Sequence, residues 1–148
     1  MKKVLLLMFA ALFTWASCSS DNKGELVGNW DEMKISAENV LLDTSKNEGV
    51  FINVSKEGAN FSLQVDNYNG WWVSSVSEKT TENGNFKLAY QAGRDKKVYK
   101  QDWYNVEIDA NKAKCVIGEN NLMESRTIKM VMTVGDAFKT IYIVQAAK

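Results

Sequence analysis

Few side chains in this 148-residue sequence are equipped for covalent chemistry. It holds two cysteines and no histidine. Ser-His-Asp and Cys-His catalysis, imidazole proton shuttles and histidine-built metal sites are therefore excluded. Glu107 and Asp109 stand two residues apart, a spacing that puts both carboxylates on one strand face, as a glycosidase acid and base require. The same alternation sends Val106 and Ile108 inward, so both acids fall on a solvated face where nothing raises a carboxyl pKa for general-acid catalysis. Glu119, Asn120 and Asn121 offer oxygen ligands for calcium but lack the spaced acidic loop of a dedicated site. The expectation is a protein that is not an enzyme and holds neither metal nor cofactor. Lys+Arg and Asp+Glu number 18 each, for a net charge of +0. That balance leaves no basic footprint for a phosphate backbone, so nucleic acid is not an expected partner.

What the sequence does concentrate is flat aromatic surface. Nine of the thirteen aromatic residues after Cys18 fall between Phe61 and Tyr104. Pyranose rings pack their C–H faces on such side chains, and Trp and Tyr lose little rotamer freedom in doing so. Neighbours on a strand face opposite ways, so Trp71-Trp72 and Trp103-Tyr104 cannot both bury both rings. Trp71 shares parity with Val73, which turns Trp72 outward. Tyr104 shares parity with Val106 and Ile108, which makes Trp103 the more exposed of its pair. Tyr68, Trp72, Trp103 and Tyr104 form the candidate carbohydrate-binding set; the competing assignment is a satellite packing cluster.

These residues must be positioned by strands. Val50, Ile52 and Val54 alternate with Phe51 and Asn53, and Phe61, Leu63 and Val65 alternate with polar neighbours, the period of half-buried strands. Turn clusters rich in Gly and Asn separate such runs, for example Ser45 to Gly49, Asn67 to Gly70 and Glu82 to Asn85. Ile128, Met130, Met132 and Val134 lead through Gly135-Asp136 into Lys139 to Gln145, a terminal hairpin with Ile141 and Ile143 in the core. Arg126 has core-side parity and is expected at the sandwich rim, bonding loop carbonyls or Glu119 or Glu124, with Gln145 in a similar closing role. Cys115 shares the apolar face of Ala113 and Ile117, the place of a buried structural thiol. No persuasive amphipathic helix intervenes. The fold class is all-β, an antiparallel β-sandwich over residues 29–148.

Arg126-Thr127-Ile128-Lys129-Met130 and the closing Ile141-Tyr142-Ile143-Val144-Gln145 resemble the last two strands of the BACON family (Bacteroidetes-associated, carbohydrate-binding, often N-terminal modules). Trp71-Trp72-Val73-Ser74 resembles its W-x-V-S strand and Trp103 its second tryptophan. The resemblance covers Val40 to Gln145, with Gly58 to Gly70 and Glu78 to Gln101 as long aromatic-rich departures. It implies an immunoglobulin-like sandwich and a glycan or mucin ligand. Gly28-Asn29-Trp30 resembles the G-x-W opening of lipocalin-like β-barrels, which supplies the alternative fold and a small-ligand carrier as an alternative function. A structural or assembly subunit of a surface protein complex is the other alternative, with a surface protein as partner.

The N-terminus supplies an address. Met1-Lys2-Lys3 precedes the apolar run Val4 to Phe13, the length of a signal-peptide core and too short to span a bilayer comfortably. Small Ala16 and Ser17 stand before Cys18, an order that resembles the cleavage site of bacterial lipoproteins. The resemblance implies a signal peptide over residues 1–17, lipid on the Cys18 thiol, a palmitate-type acyl chain on the new amino group, and a flexible tether over residues 18–28. Ser19 after the cysteine is similar to lipoproteins exported to the outer membrane, so the expected location is that membrane, on its outer or periplasmic face. Signal cleavage near Ala16 with Cys18 left as a free thiol is the alternative. Metabolic labelling with a fatty-acid analogue should mark the wild-type chain and leave Cys18→Ala unlabelled; equal labelling of both would exclude Cys18 as the anchor.

Overall fold

The computed structural model describes residues 30–148. Cys18, the signal segment 1–17 and the tether 18–28 lie outside the described residues. Ten strands are formed: β1 (Ile35–Glu38), β2 (Val50–Val54), β3 (Ala59–Val65), β4 (Trp72–Lys79), β5 (Lys87–Gln91), β6 (Val98–Gln101), β7 (Tyr104–Asp109), β8 (Lys112–Ile117), β9 (Arg126–Val134) and β10 (Ala137–Gln145), among the described residues. They make two five-stranded sheets, ordered β1-β3-β8-β7-β6 and β2-β10-β9-β4-β5. The sheets do not close into one barrel, so the lipocalin-like alternative and its enclosed calyx are set aside. The strand order is that of an immunoglobulin-like sandwich with additional edge strands.

Period-two patterning decides which faces meet. Leu63 and Val65 of β3, Val106 of β7, and Ala113 and Cys115 of β8 are buried from the first sheet. Ile52, Val73, Val76, Ile128, Met130, Met132, Ile141 and Ile143 are buried from the second. β10 lies between β9 and β2, and Ile143 is level with Ile128 on one side and Ile52 on the other. Its side chain is completely enclosed. Trp71, just before β4, is buried at the position where immunoglobulin domains place a core tryptophan.

Two features go beyond the sequence expectation. The β2–β10 pair is parallel, because the chain leaves β1 in the first sheet and enters the second beside the closing strand. The segment Glu78 to Gln101, a departure from the BACON pattern, holds the end of β4, all of β5 and β6, and carries the chain from an edge of one sheet to an edge of the other. The edge strands β1, β2, β5 and β6 have only four or five residues each. Short length limits edge-to-edge pairing in a chain with no proline.

The terminal hairpin turns at Gly135, whose φ of 52° is in the left-handed region. A Cβ there would overlap the Trp30 indole, so glycine is required by both backbone and neighbour. Replacing Ile143 by alanine should lower unfolding free energy by about 2 to 5 kcal/mol, from lost transfer energy and the cavity left between the sheets. Chemical denaturation of Ile143→Ala measures this; an unchanged midpoint would mean a shifted β10 register with Tyr142 and Val144 inward.

Candidate functional site

The hairpin end of the sandwich gathers aromatic rings around a cleft. Trp72 opens β4 opposite Thr133 of β9, with its side chain on the outward parity between Trp71 and Val73. Tyr68, in the β3–β4 connection, is fixed by donating its hydroxyl to the Asp31 carbonyl at 2.8 Å. Trp30 lies against Tyr68 with centroids 5.7 Å apart and planes at 50°. These three rings, with Arg94, Asp95 and Lys97, line a cleft of about 800 Å³. The Arg94 guanidinium sits 4.5 Å from the centre of the Trp72 ring. The site thus combines flat apolar rings with donors and acceptors at its rim, the usual make-up of a small-ligand or sugar cleft.

The other two sequence candidates are elsewhere. Trp103, in the β6–β7 turn, lies beneath the Arg126 guanidinium at 4.2 Å and packs edge-on against Tyr104 at 5.0 Å. Arg126 and Thr133 mark opposite ends of β9, so Trp103 and Trp72 are separated by roughly 23 Å along the strand direction. Tyr104 is only 3% exposed and belongs to the core. Its assignment to a sugar-facing surface is therefore corrected: it faces inward with Val106 and Ile108, as its parity dictates. Trp103 is half-buried and covers a structural arginine instead of standing free as an exposed ring. The structure brings Tyr68 and Trp72 together and separates them from Trp103 and Tyr104. Trp30, which the sequence offered only as a barrel marker, completes the cleft; its position two residues past Gly28 gave no sign of that contact.

The remaining polar candidates are accounted for locally. Glu107 and Asp109 are exposed; Asn105 donates to Glu107 at 2.9 Å, and Lys114 pairs with Asp109 at 3.4 Å. Asn120 is buried, donates to the carbonyls of Glu124 and Ala146, and accepts from the Leu122 amide. Its side chain is committed to ordering the β8–β9 connection. Among the described residues, no three His, Cys, Asp or Glu side chains converge as metal ligands.

Fold and cleft together define a β-sandwich module with an aromatic recess at one end. A protein from Bacteroides thetaiotaomicron, solved by NMR, is similar to it: 30% of residues are identical, the TM-score is 0.62, and the match covers 82% of this chain and 92% of that one. The chain belongs to the same family as that Bacteroides protein. No family model matches the sequence, and no curated protein matches it.

Cys115 is enclosed between the sheets at 1% exposure, and burial pushes its thiol up to about 12 from an ordinary 9.0. Burial likewise raises the Tyr99 hydroxyl from 10.0 to about 12. Between the ordinary and the folded values the unfolded chain has lost a proton that the folded chain keeps. Alkali therefore favours unfolding, and stability falls as pH rises from about 9 towards about 12. Denaturation midpoints followed from about pH 8 to about pH 11 should decline less steeply in Cys115→Ala than in wild type. Equal slopes would mean that the thiol ionises as readily in the folded protein as in the unfolded chain.

Proposed function

We propose that this protein is a non-catalytic, lipid-anchored component of the bacterial cell envelope that binds glycans in the cleft formed by Trp30, Tyr68 and Trp72. The observation that carries the reading is the convergence of those three rings with Arg94, Asp95 and Lys97. A sugar ring stacks on Trp72, either on the face away from Arg94 or in place of the guanidinium, while the charged rim hydrogen-bonds its hydroxyls. The likeness of Trp71 to Ser74 and of the two closing strands to BACON modules supports the same ligand class. The resemblance of the Ala16-Ser17-Cys18 segment to a lipoprotein cleavage site supports the outer-membrane location.

A second reading, an assembly subunit of a surface complex, draws on a different region. Leu122 and Met123 are 46% and 80% exposed in the β8–β9 connection, next to the Arg126 end. Apolar side chains displayed there suit a protein partner more than a sugar.

A glycan array probed with the chain beginning near Asp21 separates the two. The wild type should be retained on a subset of glycans, and Trp72→Ala or Tyr68→Ala should weaken retention by at least about tenfold, the loss of about 1.4 kcal/mol. The thermal midpoint of Trp72→Ala should change little, whereas Tyr68→Ala also loses the bond to Asp31 and should lower it. Trp103→Ala should do the reverse, lowering the midpoint by several degrees while glycan retention persists below it, because the ring covers a buried cation. Absence of retention on any glycan, or equal retention by wild type and Trp72→Ala, would leave the assembly reading standing.

A further inference from the structure

The outward face of the second sheet carries a second aromatic array that shares no residue with the cleft. Parallel register sets Phe51 of β2 directly beside Tyr142 of β10, and their rings stack at 4.6 Å with planes 14° apart. Phe86, from the β4–β5 connection, leans on Tyr142 at 6.2 Å. Three lysines line this stack. Lys46 Nζ is 4.1 Å from the centre of Phe51, Lys129 Nζ is 5.8 Å from Phe86 and 5.9 Å from Tyr142, and Lys79 Nζ is 5.5 Å from Phe86. The strip runs across β2, β10, β9 and β4, three strand spacings or about 14 Å. None of its ammonium groups forms an ion pair with a carboxylate among the described residues, although Lys46, after the Ser45 hydrogen bonds, helps hold the nearby Asp43 carboxyl below its ordinary range. Lys79 donates only to the Glu82 carbonyl, at 2.9 Å.

We propose that this strip is a second binding site, for an anionic polysaccharide bearing sulfate or uronate groups. Phe51 and Tyr142 stack on each other, Lys46 lies over Phe51 and Phe86 leans on Tyr142, so what the stacked pair turns outward is mainly ring edge. Aromatic edges carry the positive end of the ring quadrupole. Ring edges and unpaired ammonium groups therefore make one electropositive row on a chain of zero net charge. A stiff polymer with repeated anions matches such a row through charge-assisted hydrogen bonds. A nucleic acid strand would need free ring faces for its bases, and those faces are covered. Phe51 and Tyr142 are half-buried and Phe86 is the one exposed ring of the strip, at 38%, too little protruding apolar surface to anchor in a bilayer interface. A neutral sugar likewise finds no open platform here, which distinguishes this site from the cleft.

The test uses the chain beginning near Asp21, which carries neither the signal segment nor the lipid, on immobilised dextran sulfate, on polygalacturonate, and on neutral dextran. Wild type should bind at least one anionic polymer, release with added salt, and ignore neutral dextran. Lys46→Gln combined with Lys129→Gln should weaken binding at least about tenfold with the thermal midpoint kept; single Lys46→Gln, in a connection between strands, should weaken it severalfold and guards against misfolding of the double variant. Trp72→Ala should bind the anionic polymer like wild type, so failure of the cleft and failure of the strip are read separately. Equal weakening by Lys100→Gln on β6 would overturn the proposal, as would equally tight binding to phosphatidylglycerol vesicles or oligodeoxythymidine, or no binding to either polymer.

Discussion

A single buried cation organises one end of this molecule. Arg126 is 6% exposed, and its guanidinium donates to the Gln145 side-chain oxygen at 2.8 Å, to the Gly118 carbonyl at 3.1 Å and to the Glu119 carbonyl at 2.8 Å. Gln145 is itself fully enclosed, and its amide donates to the carbonyls of Ser55, Lys56 and Gly118. The two side chains thereby tie the β8–β9 and β2–β3 connections to the start of β9 and the end of β10. A guanidinium left there without acceptors would cost several kcal/mol, so the surrounding carbonyls have to be held where they are. That requirement fixes the β8–β9 connection, whose other anchor is the buried Asn120. It also fixes Trp103, whose ring closes over the guanidinium and excludes water from it.

Because the Arg126 end is occupied by structure, the recess forms at the other end. There the entry segment is pinned from three directions. Lys139 of β10 forms an ion pair with Glu32, which holds the Glu32 carboxyl below its ordinary range. Asn67 accepts from the Lys34 amide and donates to the Glu32 carbonyl, and Tyr68 donates to Asp31. These bonds set the approach angle of the chain, so that Trp30 meets Tyr68 and Gly135 and becomes a wall of the cleft. The recess is thus a by-product of how β1 is attached, and its aromatic lining comes from two segments far apart in sequence, Trp30 on one and Tyr68 to Trp72 on the other.

That origin explains what was legible in the sequence. Period-two alternation located the β2, β3, β7, β8, β9 and β10 cores, because burial on one face writes itself into every second residue. The same parity placed Trp71, Tyr104, Ile141 and Ile143 inward. Arg126 and Gln145 were readable as rim residues because a long polar side chain on a core-facing position has to find partners at the end of its strand. Contacts set by topology were not readable. Parity shows that Trp103 leaves the core but not that an arginine from β9 will be above it. It gave no reason for β2 to run parallel to β10, or for Trp30 to reach a turn more than a hundred residues away. Phe51 and Tyr142 escaped attention for the same reason: each is an ordinary outward residue of its own strand, and only the parallel register makes them a stacked pair.

Net charge is equally blind to arrangement. On the outer face of the first sheet, the register puts Glu107 opposite Lys114 and Asp109 opposite Lys112, while Lys112 also reaches Glu38 at 3.0 Å. Cross-strand pairs of opposite sign cancel there, and that face presents a neutral, hydrated surface to its surroundings. On the outer face of the second sheet, Lys46, Lys79 and Lys129 meet aromatic rings in place of acids. A ring attracts an ammonium group through its quadrupole without neutralising it. The same formal charge of zero therefore conceals one face whose charges cancel across strands and one whose ammonium groups rest on aromatic rings.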